Sequence, residues 1–257
     1  MIKFFRHIRK SLLMESKTSK YFKYAIGEIV LVVIGILIAL QINNWNNNRL
    51  ESSKEQLFLK NLESDVKANL IEYKNTYNRS LQAYLASNEI LEIIKSKKPI
   101  TNQNKIDSLV HLMINEFTSL DLIDGSINEI LNTGSLNVIK DAKLRKKLSN
   151  WSKTINDYQD DVKITNDYLF DKLIPSTENK LLLRNSKVPE KFSSIDNVKN
   201  ITKSNFTIDY NTTLKTVEFE NQVYFHVLNI LFTLNSYEIT ETYLNDLLEL
   251  IEVNIKE

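Results

Sequence analysis

Apolar and polar residues alternate along this chain in two different ways. Residues 25–42, AIGEIVLVVIGILIALQI, form one unbroken apolar run with twelve Ile, Leu and Val residues and a single charge, Glu28. Beyond it, apolar residues recur at intervals of three and four, which keeps them on one helix face. Leu59, Leu62, Val66, Leu70, Tyr73, Tyr77, Leu81 and Tyr84 read as an eleven-residue repeat on one nearly straight helix, able to continue the apolar run. Lys97-Lys98-Pro99 ends it, because proline disfavours helical geometry in the residue before it. Thr101 then caps a second helix, antiparallel to the first and reaching about Phe117.

Ser126 to Asn132 reads as a short helix closed near Gly134, a residue free to take the left-handed conformation that ends helices. Asp141 caps the next helix. Its Leu144, Leu148, Trp151, Ile155, Tyr158, Val162, Thr165 and Leu169 alternate at spacings of four and three, a coiled-coil-like seam stopped at Ile174-Pro175. Residues 175 to about 208 look irregular. From Asn211 on, Leu214, Val217, Tyr224, Val227, Leu231 and Leu234, then Leu244, Leu247, Leu248, Ile251 and Ile255, give one long helix or two consecutive ones. After residue 42 only Gly125 and Gly134 are glycines and only Pro99, Pro175 and Pro189 are prolines, too few for the turns of a sheet protein. The fold class is therefore all-α: one N-terminal transmembrane helix, then an extended antiparallel bundle of about four main helices.

The apolar run sets an address. Each Ile, Leu or Val favours insertion by about 0.3 to 0.6 kcal/mol, which together outweigh a central carboxylate costing about 2.5 to 3.5 kcal/mol. Eighteen residues at about 1.5 Å each span roughly 27 Å, close to the hydrocarbon core of a bilayer. No A-x-A site follows Leu40, and without cysteine there is no lipoprotein box, so an uncleaved anchor is expected rather than a signal peptide. Before the run stand Lys3, Arg6, Arg9, Lys10, Lys17, Lys20 and Lys23 against one acid, Glu15. The positive-inside rule then places residues 1–24 in the cytoplasm, 25–42 in the inner membrane and 43–257 in the periplasm. Ile2, Phe5, Ile8 and Leu12 at helical spacing suit a helix lying on an anionic leaflet, so the bilayer and not a nucleic acid is the expected partner of these charges.

The stretch KYAIGEIVLVVIGILIALQINNWN, preceded by MIKFFRHIRKSLL and followed by FLKNLESDVKANL, resembles an uncharacterised family of small single-pass Bacteroidota membrane proteins, a domain of unknown function. A second block, EILNTGSLNVIKDAKLRKKL from Glu129 to Leu148, is similar to the family's other recurrent stretch. The resemblance implies a Bacteroidota inner-membrane protein and brings no catalytic or ligand residue with it.

Candidate chemistry is sparse. Glu28, about one turn inside the span, either bonds a partner helix, serves a proton pathway, or reaches back to Lys20, Lys23 or lipid headgroups, the last being the expected reading. Gly27, Leu31, Gly35 and Ala39 share one face, and Gly35-x-x-x-Ala39 is a small-x-x-x-small pair that lets membrane helices approach closely. Trp45, Asn43 and Asn44, with Asn46, fit an interfacial anchor. Asp157, Asp160, Asp161, Asp167 and Asp171 are interleaved with Lys153, Lys163 and Lys172 and read as a solvated face, not a cation site. His7, His111 and His226 stand singly, and no HExxH, P-loop, G-x-S-x-G or GxGxxG occurs, so no catalytic, metal or cofactor residue is assigned and no enzyme is expected. The expected function is that of a membrane-anchored interaction or scaffold protein, self-associating or bound to another envelope protein. The alternative is a ligand-sensing bundle that signals through a partner.

Overall fold

The structure, a computed structural model, describes residues 18–115, 122–185 and 202–256. The amphipathic stretch at residues 2–13, Phe117 and residues 186–201 of the segment between 175 and 208 lie outside the described residues. The chain divides into two compact units, Met1–Leu57 and Phe58–Glu257. The described residues form an all-α fold with helices α1 (Thr18–Lys95), α2 (Gln103–Asn115), α3 (Gly125–Asn132), α4 (Ala142–Ser149), α5 (Trp151–Tyr168) and α6 (Val217–Asn254).

In the first unit the apolar run of α1 is bare. Every residue from Ile29 to Trp45 is exposed, and the run has a mean hydropathy of 2.6, enough to cross a membrane, a property it shares with N-terminal signal sequences.

The second unit is built on heptads. On α1 the buried line is Leu59, Leu62, Val66, Asn69, Tyr73, Thr76, Ser80, Ala83, Ser87, Ile90 and Ile94, spacings of three and four in strict alternation. This corrects the eleven-residue repeat: Leu70, Tyr77, Leu81 and Tyr84 are only half-buried, and the small or polar residues beside them occupy the interior. The reason is steric. Tyr73, Tyr158 and Tyr237 converge with ring centroids 5.0 and 5.5 Å from Tyr73, and beside such rings only small side chains fit between the helices. Tyr77 lies over the edge of this cluster, 4.5 Å from Tyr237.

The seam expected on a single helix is divided between α4 and α5, and it is buried from Leu144 to Leu169 without exception and continues to Leu173. Asn150 joins the two helices at near-helical angles. Asp141 caps α4 as expected, its carboxylate accepting from the Leu144 N–H at 2.6 Å. A π turn, Leu169–Leu173, follows α5 and keeps both of its leucines inside while Phe170 stays exposed; one last turn, Ile174–Ser176, carries the helix through Pro175, slightly past the expected stop. At the start of α2 the Lys105 N–H is taken by Asn102, which replaces Thr101 as the capping side chain. Gly134 has φ +68°, the left-handed angle expected of it.

One continuous helix, α6, occupies most of the chain after Asn211. Its buried line is Phe219, Val223, His226, Ile230, Thr233, Tyr237, Thr240, Leu244, Leu247 and Ile251, again an alternation of three and four. Val217, Tyr224 and Leu231, expected inside, are exposed. They lie on the opposite face from this line, whose polar members Thr233 and Thr240 and its one histidine hide it from a hydrophobicity pattern. Polar contacts fix directions. Lys67 meets Glu252 at 2.9 Å and Lys215 bonds the carbonyls of Ser96 and Lys98, so α1 and α6 are antiparallel. Lys147 meets Asp246 at 2.7 Å and Tyr168 bonds Gln222, so α5 and α6 are antiparallel as well, and α1 and α5 run the same way. One core cluster joins the first half of this α1 segment to α3, α4, α5 and the end of α6. A second, at the other end, gathers Ile90, Ile94, the α2 residues Ile106, Val110 and Met113, Leu173, and Phe219 and Val223 of α6.

Candidate functional site

The small residues singled out in the apolar run lie on the surface of α1. Gly27, Gly35 and Ala39 are exposed along α1, and a Cβ added at Gly27 or Gly35 would meet no atom within 4 Å. The face is open. Glu28 is half-buried. Asn43, Asn44 and Trp45 are exposed, and the Arg49 guanidinium stands 5.7 Å from the Trp45 ring centroid, a cation over an aromatic face.

Two of the aspartates of α5 hold side-chain partners. Ser236 of α6 donates its hydroxyl to Asp161, and Lys163 pairs with Asp167, which raises the Lys163 pKa. Among the described residues no three His, Asp or Glu side chains stand where one metal ion could join them. His111 shares a hydrogen bond with Asn115 at 2.9 Å. His226 is buried against Tyr168, Nε2 3.3 Å from the Met113 carbonyl and Nδ1 without a partner. Burial depresses its pKa to about 4, against a smaller upward pull from that carbonyl. His7 lies outside the described residues.

The structure assembles one polar site that hydrophobic periodicity missed. Asp107 projects from α2 with its carboxylate buried. The Tyr210 hydroxyl donates to one of its oxygens at 2.8 Å and the Asn185 amide to the other at 3.2 Å. Burial, then the bond to Asp107, push the Tyr210 pKa up. Asn185 in turn accepts the Ser204 N–H at 2.9 Å, and Lys203 bonds Asn104 at 3.0 Å. Around this network lies a cavity of about 450 Å³, lined by Asn104, Asp107, Ser108, His111, Leu112, Asn185 and Lys203. Asp107 and Ser108 are adjacent, and each lies three or four residues from Asn104 and from His111 on α2, which brings carboxylate, hydroxyl, amide and imidazole to one wall. Both carboxylate oxygens keep a further lone pair, so the site is equipped to accept hydrogen bonds from a polar or cationic solute. One signal in the sequence could have found it: Asp107 precedes Val110 and Ile114 at helical spacing, an acid on an otherwise apolar face.

No curated protein and no solved structure matches the chain. A family model does, over residues 28–179, a stretch that takes in most of the apolar run, the heptads of α1 and the whole of α5, and the chain accordingly belongs to a family of unknown function, DUF6090.

Proposed function

We propose that this chain is a membrane-anchored interaction protein of the bacterial envelope. Residues 25–42 cross the inner membrane of a Bacteroidota-type cell, residues 1–24 remain in the cytoplasm, and the helical bundle stands in the periplasm. The observation that carries the reading is the bareness of α1: an unbroken row of Ile, Leu and Val side chains without protein cover. Each large apolar side chain left in water costs about 1.5 to 3 kcal/mol relative to burial, so this row requires lipid or another helix. The open Gly27, Gly35 and Ala39 face supplies room for a second helix, and Trp45 over Arg49 supplies an interfacial anchor.

The test is affinity purification of the tagged full-length protein from gently solubilised membranes, beside the double variant Glu28→Gln, Gly35→Leu, with copurifying chains identified by mass spectrometry. A stoichiometric partner or a self-oligomer supports the reading, and its loss in the variant assigns the span as the interface. Monomer from both preparations overturns it.

A second reading, a ligand-sensing bundle that hands its signal to a partner, is favoured by the cavity at Asp107. A panel of small amines and polyols that raises the melting temperature of the full-length protein, but not of Asp107→Asn, would support this alternative; no shift in either would remove it.

A further inference from the structure

Helix α6 is apolar on two faces, and among the described residues only one of them is buried. Opposite the buried line, Phe225, Phe232 and Ile239 stand seven residues apart and are 53%, 63% and 60% exposed. Tyr224 and Leu231 lie beside them, also exposed. The stripe covers sixteen residues, about 24 Å of helix at 1.5 Å per residue, and repeats with the heptad period of a helix-packing seam. A bundle helix that faces only water carries charge there.

Charge is concentrated along one edge of the stripe. From Val217 to Asn254 the chain has seven Asp and Glu residues and no Lys or Arg. Glu218, Asp246 and Glu252 answer lysines of the bundle. Glu220, Glu238 and Glu249 do not: they are exposed, make no ion pair among the described residues, and fall on one line because their separations of 18 and 11 residues are close to whole numbers of turns. The opposite edge borders α5, where Ile239 shares a groove of about 450 Å³ with Tyr243, Lys153 and Asp157.

We propose that the Phe225, Phe232 and Ile239 face of α6 docks a basic amphipathic helix from a partner protein. The partner's apolar residues at intervals of three and four enter the stripe, and its flanking Lys or Arg residues face Glu220 and Glu238. The inference rests on the interaction reading above and names the chemistry of the partner. A second copy of α6 would bring one unpaired glutamate line towards another, and an anionic leaflet would be repelled by it.

Site-specific photocrosslinking tests it on the full-length protein in its own membranes, with p-benzoylphenylalanine in place of Phe232. The expected adduct is a heterologous peptide with apolar residues at helical spacing flanked by Lys or Arg, its yield falling at least five-fold when Glu220→Lys and Glu238→Lys are added. An adduct to α6 of another copy, an adduct to lipid, a yield that ignores the charge reversals, or no adduct would each overturn it. If a stoichiometric partner copurifies while position 232 gives none, the interaction reading stands and this surface is not the interface. If nothing copurifies, the interaction reading itself has failed.

Discussion

The side chain of Asn69 pairs with the backbone of Ile123 through both ends of its amide, Nδ2 donating to the carbonyl and Oδ1 accepting from the N–H, each at 2.8 Å. A buried asparagine thus does for the segment between α2 and α3 what a neighbouring strand would do: it satisfies the backbone donor and acceptor of one residue. Asn211 treats Ile100 in the same way, at 2.6 and 3.3 Å.

Asn69→Leu leaves both backbone groups of Ile123 without that partner, at a cost of about 1 to 3 kcal/mol for each group that stays dry. The denaturant midpoint of the second unit falls accordingly. Asn69→Asp keeps the acceptor and falls less. Equal midpoints for wild type and Asn69→Leu would mean that water replaces the amide.

His226 makes stability depend on pH. Its folded pKa, about 4, lies below the unfolded value of roughly 6.5, so the unfolded chain binds a proton in this window that the folded chain does not. The stabilisation is complete above pH 6.5 and declines as the pH falls towards 4, by about 3 kcal/mol at most. Thermal melts at pH 7 and pH 4.5 should separate more for wild type than for His226→Gln.

Tyr158 is almost wholly buried and its hydroxyl has no hydrogen-bond partner. Burial raises its pKa first, with Tyr237 adding to the effect, so the phenol remains neutral. Tyr158→Phe removes a desolvated polar atom and keeps the ring contact with Tyr73, so its stability is unchanged or raised by about 1 kcal/mol. Tyr158→Ala costs about 3 to 5 kcal/mol. A large loss from the phenylalanine variant would reveal a bound water that the hydroxyl holds.

At Gly134, φ +68° lies where a Cβ is strained although space around it is open. Gly134→Ala should cost about 1 to 2 kcal/mol, visible as a lower unfolding midpoint.

Helix existence was legible in the pattern, and on α4 and α5 the buried seam was too, because Leu, Trp, Ile, Tyr and Val fill nearly all its positions. On α1 and α6 the seam was misread for one reason. Thr76, Ser80 and Ser87 on α1, and Thr233 and Thr240 on α6, are buried polar residues that the tyrosine cluster and helix proximity force inward, and a rule that follows hydrophobicity steps aside onto Tyr77 or Leu231. The cap at Asn102 lay one residue from the expected Thr101. The Asp107 site could not be assembled from sequence, since its partners Asn185 and Tyr210 are 78 and 103 residues away.

The π turn at Leu169–Leu173 gives this bundle an unusual tolerance. A π turn holds one residue more than the regular helix it interrupts, so the segments on either side keep the phase they would have without it. Deleting a residue from an ordinary helix rotates everything downstream by about 100° and turns its inner face outward. Deleting the exposed Phe170 would instead collapse the bulge into regular helix, with Leu173, Ile174 and Pro175 still in place. The chain can shorten here and keep its register.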